Sequence, residues 1–141
     1  MDLRLNQVTL AVTDVEKSAA FYAGLGLVPL VVSEHYRRFA LPAGDATLSL
    51  HRSDAPVCST TTVYFESDEL DALWARLVRA GYEFDHGPRD QTWLWREARL
   101  RDPDGNTICL YHAGRNRLDP PWRVRGQDAD AAVARVRRDQ D

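Results

Sequence analysis

The chain has 141 residues, of which 44% are hydrophobic and 28% are charged, and its formal net charge is -3. This length and this balance are typical of one globular domain with a buried core, and they exclude a disordered chain. The small negative charge gives no electrostatic reason to expect nucleic acid as a partner.

The first half of the chain is predicted to form a strand, a helix and three further strands. Thr13-x-x-Glu16 is a capping-box pattern, which predicts that a helix begins there and runs to about Leu25. Gly24 and Gly26 give the backbone the freedom to end that helix. Polar and apolar alternation and turn residues place the strands at residues 7–12, 27–32, 36–41 and 46–52.

The second half repeats this order. Its helix is predicted to begin after Ser67 or Asp68 and to end at Gly81. One apolar stripe at helical spacing is formed by Leu70, Leu73, Trp74, Leu77 and Val78. Its strands are predicted at residues 62–66, 82–84, 93–100 and 107–112, with a turn at 102–105 before the last.

The two halves are copies of one unit. Residues 7–26 align with residues 62–81 at an offset of 55, and residues 47–50 align with residues 107–110 at an offset of 60. Single matches of this kind are common by chance, but their shared order is not. The sequence therefore predicts an α+β chain in which the order βαβββ occurs twice.

The domain boundaries follow from the repeat. We expect one domain at residues 1–113, made of modules at about 5–53 and 60–112, and a C-terminal extension at 114–141. The charge pattern of residues 128–138 is typical of a short helix.

Cellular location is predicted from what the sequence lacks. The N-terminus has no apolar run of a signal peptide, and no stretch is long enough to span a bilayer. Cys58 and Cys109 form neither a disulfide framework nor a CxxC zinc pair. We therefore expect a cytoplasmic protein with no membrane partner.

This arrangement resembles the vicinal oxygen chelate superfamily, which includes glyoxalase I, bleomycin-resistance proteins and extradiol dioxygenases. The resemblance covers about residues 5–112. It rests on the paired modules and on two strings, VTDVEKS at residues 12–18, continuing to FY at 21–22 and LGL at 25–27, and RDPDGN at residues 101–106. It implies that the two sheets curl around a cleft, within one chain or across a dimer, and that the protein is a homodimer.

Strand alternation divides the side chains of each sheet between two faces. The set predicted to pack under the helices is Val8, Leu10, Val12, Leu48, Leu50, Val63, Phe65, Ile108 and Leu110. The set predicted to line the cleft is Gln7, Thr9, Thr47, Ser49, His51, Thr62, Tyr64, Cys109 and Tyr111, joined from strand 93–100 by Trp93, Trp95, Glu97 and Arg99. On that last strand Leu94, Ala98 and Leu100 suit the helix side, which leaves the charged Arg96 on a covered face.

The resemblance also implies where a metal ion would bind. Metalloenzymes of the family carry ligands, usually His and Glu, at the positions of Gln7, Ser49, Thr62 and Cys109. A divalent ion needs three or four imidazole or carboxylate donors, and serine or threonine hydroxyls are poor substitutes. We therefore expect no metal cofactor. The alternative is one divalent ion held by Gln7, His51 and Cys109, a set without a carboxylate.

The predicted ligand-binding residues are Gln7, Ser49, His51, Thr62, Tyr64, Trp93, Trp95, Glu97, Arg99, Cys109 and Tyr111. The aromatic members suit a flat, apolar or aromatic ligand, although tryptophans also fill cores and interfaces. We predict a small-molecule-binding protein of the glyoxalase/bleomycin-resistance type. Two alternatives stay open: a metal-dependent lyase, isomerase or dioxygenase with atypical ligands, and a metal-free enzyme that uses Glu97 or His51 as a general base.

Overall fold

Both halves of the chain fold as a strand, a helix and three further strands in the computed structural model, which describes residues 2–124 and 134–139. The first module comprises β1 (Gln7–Val12), α1 (Val15–Leu25), β2 (Val28–Val32), β3 (Tyr36–Ala40) and β4 (Thr47–Arg52). The second module comprises β5 (Thr62–Glu66), α2 (Leu70–Arg79), β6 (Phe84–Asp90), β7 (Arg96–Arg101) and β8 (Thr107–His112). The predicted α+β order, βαβββ twice, is confirmed.

A 3-10 helix at Gly114–Arg117 follows β8. Residues 134–139 are helical, and the rest of the helix predicted at 128–138 lies outside the described residues. Within the described chain, neither long helix combines the length and the apolar character needed to cross a bilayer.

Each module has its own four-stranded sheet, in the orders β1-β4-β3-β2 and β5-β8-β7-β6. Gln7 lies opposite Thr47 in the parallel pair β1 and β4, and Thr62 lies opposite Thr107 in the parallel pair β5 and β8. These registers confirm both sequence offsets, because each residue and its counterpart occupy the same place in their sheets. They also make β1 and β5 edge strands.

The first helix begins one residue later than the capping-box pattern predicts. Asp14 is the N-cap, and its carboxylate accepts a hydrogen bond of 3.0 Å from the amide of Lys17. Thr13 instead donates its hydroxyl to Asp104 at 2.6 Å, on the turn between β7 and β8. At the other end Gly26 caps the helix with a φ of 114°, a left-handed conformation that suits glycine.

The cap predicted for α2 is wrong by one or two positions. The residue before the helix is Glu69, and in the described structure its side chain makes no cap hydrogen bond. The hydroxyl of Ser67 accepts a 3.1 Å bond from the Glu69 amide, so Ser67 orders the approach to the helix.

The helix-facing sides of both sheets contribute to one shared core. The predicted apolar set lies there, with Leu10, Val12, Leu48, Leu50, Ile108 and Leu110 buried and Val8, Val63 and Phe65 packed against them. Polar bonds also join the modules, since Tyr22 of α1 donates to Asp102 at 2.7 Å and Tyr82 donates to the Phe21 carbonyl at 2.5 Å. The side of each sheet opposite its helix is therefore turned away from the shared core, and we call these sides the first and second open faces.

Two strands of the second module differ from their predicted bounds. β6 continues through Gly87 and Pro88, where the sequence predicted a loop. Register shifts near His86 accommodate these two residues on the edge strand. β7 begins only at Arg96, because Leu94 has a φ of 68° and interrupts the extended backbone.

Arg96 is on the helix side, as strand alternation requires. Its guanidinium forms ion pairs with Asp71 of α2 at 3.1 Å and with Asp90 of β6 at 3.2 Å. A charged residue is tolerated there because it lies at the edge of the covered face and is paired.

Candidate ligand-binding site

The second open face carries a layer of aromatic rings. Trp95 and Tyr111 stack with ring centroids 4.6 Å apart and planes 17° from parallel. Tyr64 stands edge-on to both, with centroids at 6.0 and 5.7 Å. Tyr111 is buried, Trp95 is partly buried and Tyr64 is 47% exposed. The buried pair therefore supports Tyr64, whose ring forms the outer surface of the layer.

A buried carboxylate lies beside this layer. The side chain of Glu97 is only 2% exposed, and Oε1 accepts hydrogen bonds from Nε and Nη2 of Arg99 at 3.1 and 3.0 Å. Oε2 accepts a 2.6 Å bond from the indole Nε1 of Trp93. Paired in this way, the charge of Glu97 can be buried without a large penalty. Trp93 precedes β7, so this bond places it on the second open face although the strand predicted there is absent.

Cys109 lies beneath this carboxylate, at the centre of the sheet. The thiol is fully buried, and burial, followed by the charge of Glu97, raises its pKa to about 12. Cys109 is therefore a neutral thiol at physiological pH and acts as a small packing residue.

The first open face is polar. The phenol of Tyr36 donates to the buried hydroxyl of Ser49 at 2.9 Å and accepts from Nε of Arg38 at 3.0 Å. Both partners can donate to the phenolate form, and these hydrogen bonds, with Ser49 first and Arg38 second, lower the pKa of the Tyr36 phenol. Gln7 accepts a 2.8 Å bond from Thr47 nearby. His51 is exposed on the same face, opposite Tyr36 in the register.

Tyr36 and Arg38 were not among the predicted site residues. The signal for them was available, since both lie on the predicted strand 36–41 and alternate onto the face that Ser49 and His51 occupy.

Arg38 and Arg99 occupy equivalent positions in the two modules. Arg38 lies opposite Ser49 in the pairing of β3 and β4, and Arg99 lies opposite Cys109 in the pairing of β7 and β8. Each arginine is hydrogen-bonded to the side chain two residues before it, Tyr36 or Glu97. Both open faces therefore present an arginine held by a neighbour on its own strand.

The structure brings together seven of the predicted site residues on the second open face: Tyr64, Trp93, Trp95, Glu97, Arg99, Cys109 and Tyr111. Thr62, at the start of β5, is partly buried opposite Thr107. Gln7, Ser49 and His51 lie on the first open face. Among the described residues, no hydrogen bond joins the two open faces of one chain.

Residues 113–117 border the aromatic layer. Glu66 Oε2 accepts bonds from the amides of Ala113 and Gly114 at 2.7 and 2.9 Å. Burial raises the pKa of Glu66, but the two amides and Arg117 outweigh this effect and hold it below its usual value. The indole of Trp95 donates to the Asn116 carbonyl at 3.4 Å. The beginning of the extension is thus tied to the edge of the layer.

A groove of about 610 Å³ lies elsewhere, between the end of α1 and residues 41–43 on one side and β5 and α2 on the other. Tyr64 and Glu66 also line it, whereas Trp93, Trp95 and Glu97 do not. Leu27, Leu77 and Leu110 of the shared core form part of its walls. We therefore interpret the groove as the seam between the modules, because convergent polar groups of the kind that orient a ligand are on the open faces.

The donors at the family's metal positions do not fit a divalent ion. The Cys109 thiol is buried, the Ser49 hydroxyl is bonded to Tyr36, and the Gln7 carbonyl is bonded to Thr47. Across residues 2–124 and 134–139, no three His, Cys, Asp or Glu side chains are grouped closely enough to hold an ion. No step of a reaction can be assigned to a metal with these residues.

Comparison with known proteins identifies the family. The sequence profile of the Glyoxalase/Bleomycin resistance protein/Dioxygenase superfamily matches residues 4–110. The chain is 32% identical over 120 residues to the anthracycline biosynthesis protein DnrV of Streptomyces peucetius, which covers 72% of this chain and 44% of DnrV. The chain therefore spans less than half the length of that relative.

Two further proteins are similar. The metallothiol transferase FosB of Shouchella clausii is 26% identical over 114 residues, covering 76% of this chain and 78% of FosB. A bleomycin-binding protein complexed with bleomycin superposes with a TM-score of 0.65 at 22% identity, covering 79% of this chain and 98% of that one, and so shares the fold. The profile match over most of the chain confirms the resemblance found in the sequence: the protein belongs to the glyoxalase/bleomycin resistance protein/dioxygenase superfamily.

Proposed function

We propose that this chain is a small-molecule-binding protein whose second open face takes a flat, apolar or aromatic ligand. The observation that carries the proposal is the exposure of Tyr64 and Trp93, at 47% and 43%, beside a packed layer of aromatic rings. Rings held by their neighbours lose little conformational freedom when a ligand stacks on them. The likeness to a protein solved with bleomycin bound supports this function.

The test uses a neutral planar probe, naphthalene-2-carboxamide, titrated into the protein while tryptophan fluorescence is followed. We expect saturable quenching, and about fivefold weaker binding in Trp93→Ala and in Tyr64→Ala, which corresponds to a lost stacking contact of about 1 kcal/mol. Trp74→Phe is the matched control, because Trp74 packs against Phe84 on the helix side. Equal binding by Trp93→Ala, Tyr64→Ala and the control would show that the ligand binds elsewhere.

We further propose that the cleft is completed by a second copy of the chain. Each open face is turned away from its own core, and all five residues of the edge strand β2 are exposed, including the apolar Val28, Leu30, Val31 and Val32. Contiguous apolar surface of this kind is typical of interfaces. Light scattering after size exclusion should give the mass of a homodimer, and a monomer at micromolar concentration would contradict this proposal.

We propose that binding requires no metal. The donors described above support this, whereas the similarity to a metallothiol transferase favours the alternative, a metal-dependent enzyme with atypical ligands. Elemental analysis of protein purified without chelator or affinity metal distinguishes them. We expect less than one-tenth of an equivalent per chain, as an order of magnitude, after incubation with nickel, zinc, manganese or iron. About one tightly held ion per chain would overturn the metal-free reading and direct attention to Gln7, His51 and Cys109.

A further inference from the structure

We propose that the ligand of the second open face is an aromatic anion, and that Arg99 binds its negatively charged oxygen. This proposal rests on the proposed function, because it assumes that the aromatic rings of that face hold the ligand. It adds the charge of the ligand, which the aromatic rings alone do not determine.

Glu97 is not available to a ligand. Its carboxylate is almost fully buried, one oxygen is bound twice by Arg99, and the other is bound by Trp93 at 2.6 Å. A cationic ligand would have to displace one of these donors in a site shielded from water. Glu97 is therefore a positioning residue, which fixes the plane of the Arg99 guanidinium.

Arg99 remains partly open to a ligand. Its side chain is 30% exposed, and only Nε and Nη2 are bonded to Glu97. Within residues 2–124 and 134–139, Nη1 has no hydrogen-bond partner, so it can donate to a ligand. A guanidinium has five N–H donors in one plane, and one edge can bind an internal carboxylate while another binds an external oxygen.

Arg99 lies beside the aromatic rings of the second open face. Its guanidinium carbon lies 5.8 Å from the centre of the Tyr64 ring, and Nη2 is 3.5 Å from the Tyr64 hydroxyl. Trp93 is bonded to the other oxygen of the Glu97 carboxylate that binds Arg99. A planar ring that stacks on Tyr64 or Trp93 would therefore bring a ring substituent to the guanidinium.

The charges around the site also favour an anion. Glu66, a second acid of this face, is bound by the amides of Ala113 and Gly114 and by Arg117 at 3.6 Å. Asp85 is paired with Arg101 at 3.2 Å. On the first open face, the residue equivalent to Arg99 is Arg38, which is also a cation. Charge complementarity thus favours a ligand with a phenolate, enolate or carboxylate oxygen.

The experiment compares two probes of nearly equal shape, naphthalene-2-carboxylate and naphthalene-2-carboxamide, by titration against the full chain. We expect the wild type to bind the carboxylate about tenfold more tightly, as for one hydrogen bond between charged groups. In Glu97→Gln/Arg99→Gln this preference should disappear. The double variant is used because Arg99→Gln alone would leave the buried carboxylate unpaired.

Arg96→Gln is the matched control, since it removes the same charge from the same strand but on the helix side. It should keep the tenfold preference, and Arg99→Lys should retain part of it. Equal affinity of the wild type for both probes, with both still weakened in Trp93→Ala, would overturn the anion proposal and leave the aromatic site intact. A preference that survives in the double variant would also overturn it. Failure of both probes to bind would overturn the proposed function and this inference together.

Discussion

The phenol of Tyr22, in the helix of the first module, donates a 2.7 Å hydrogen bond to the carboxylate of Asp102, in the turn between the last two strands of the second. Both groups are buried, and burial followed by the bond to Asp102 raises the pKa of Tyr22 well above its usual value. Asp102 also binds the Asp104 amide and both the amide and the side chain of Asn106. The turn that carries the RDPDGN string thus connects the two modules.

Tyr22→Phe should lower the free energy of unfolding by about 2 kcal/mol, because a buried bond to a charged group is lost without a change in packing. Urea denaturation followed by circular dichroism measures this. Tyr64→Phe is the control, because it removes a hydroxyl from an exposed ring, and it should change stability by about 0.5 kcal/mol or less. Equal effects in the two variants would show that the Asp102 bond does not stabilise the junction.

Gly24→Ala should destabilise the protein although alanine is the better helix former. A methyl group at this position would overlap the hydroxyl of Tyr82, which donates to the Phe21 carbonyl. We expect a net loss of about 1–3 kcal/mol, because the steric cost exceeds the gain of about 1 kcal/mol in helix propensity.

A double-mutant cycle with Tyr82→Phe tests this contact. In the wild type Tyr82→Phe should destabilise, since it removes the bond to Phe21, whereas in Gly24→Ala it should stabilise by relieving the overlap. Additive effects of the two substitutions would mean that Gly24 and Tyr82 do not interact.

The two cysteines should react very differently. Cys58 is exposed, whereas Cys109 is buried with a pKa of about 12. Iodoacetamide at pH 8 should therefore add one group to the native protein and two in urea, as mass spectrometry would show. Labelling of Cys109 at the rate of Cys58 would indicate that the centre of the second sheet opens readily.

The raised pKa of the Cys109 thiol predicts that the protein becomes less stable at alkaline pH. Between its unfolded pKa near 9.0 and its folded pKa near 12, the unfolded chain releases this proton and the native chain retains it. The unfolded state then binds fewer protons, so its contribution makes the free energy of unfolding fall as pH rises through that window. In Cys109→Ala the free energy of unfolding should decline less steeply between pH 9 and 11 than in the wild type. Parallel declines in the two proteins would contradict a raised pKa for Cys109.

Val32→Glu tests the proposed homodimer. Val32 is 68% exposed at the end of the edge strand β2, and a charge there should disfavour an apolar interface. We expect light scattering to give a monomer with an unchanged circular dichroism spectrum. The control Val78→Glu places the same charge on an exposed position of α2, and it should remain dimeric. A dimeric Val32→Glu protein would exclude β2 from the interface.

Much of the fold could be predicted because it depends on short-range patterns that occur twice. Alternation in the strands and the apolar stripe of the second helix assign the core faces correctly, and the offsets of 55 and 60 residues match the sheet registers. Patterns of this kind are set by burial, which each segment encodes locally.

The start of β7 could not be predicted for an equally local reason. Leu94 has a positive φ, and leucine gives no signal for that conformation in the way that glycine or asparagine does. Trp93 and Trp95 were placed on the correct face by an alternation that does not extend to them. What holds them there is tertiary: the bond from Trp93 to Glu97 and the stacking of Trp95 on Tyr111.

The pairing of Arg99 with Glu97 was equally beyond sequence reasoning. Both residues were assigned to the cleft, but alternation cannot tell which of two neighbouring charges is free and which is already bonded. That distinction depends on side-chain distances of about 3 Å, here 3.0 and 3.1 Å. It decides whether the face attracts cations or anions.

Because the two modules have equal registers, residues at equivalent positions of the two sheets can be compared within one chain. Ser49 and Cys109 occupy equivalent positions in the two sheets, as do Tyr36 and Glu97. A residue moved between two equivalent positions keeps its place in the strand pairing and gains different neighbouring side chains. Substitutions can therefore be made in one module while the unchanged module serves as an internal control in the same molecule.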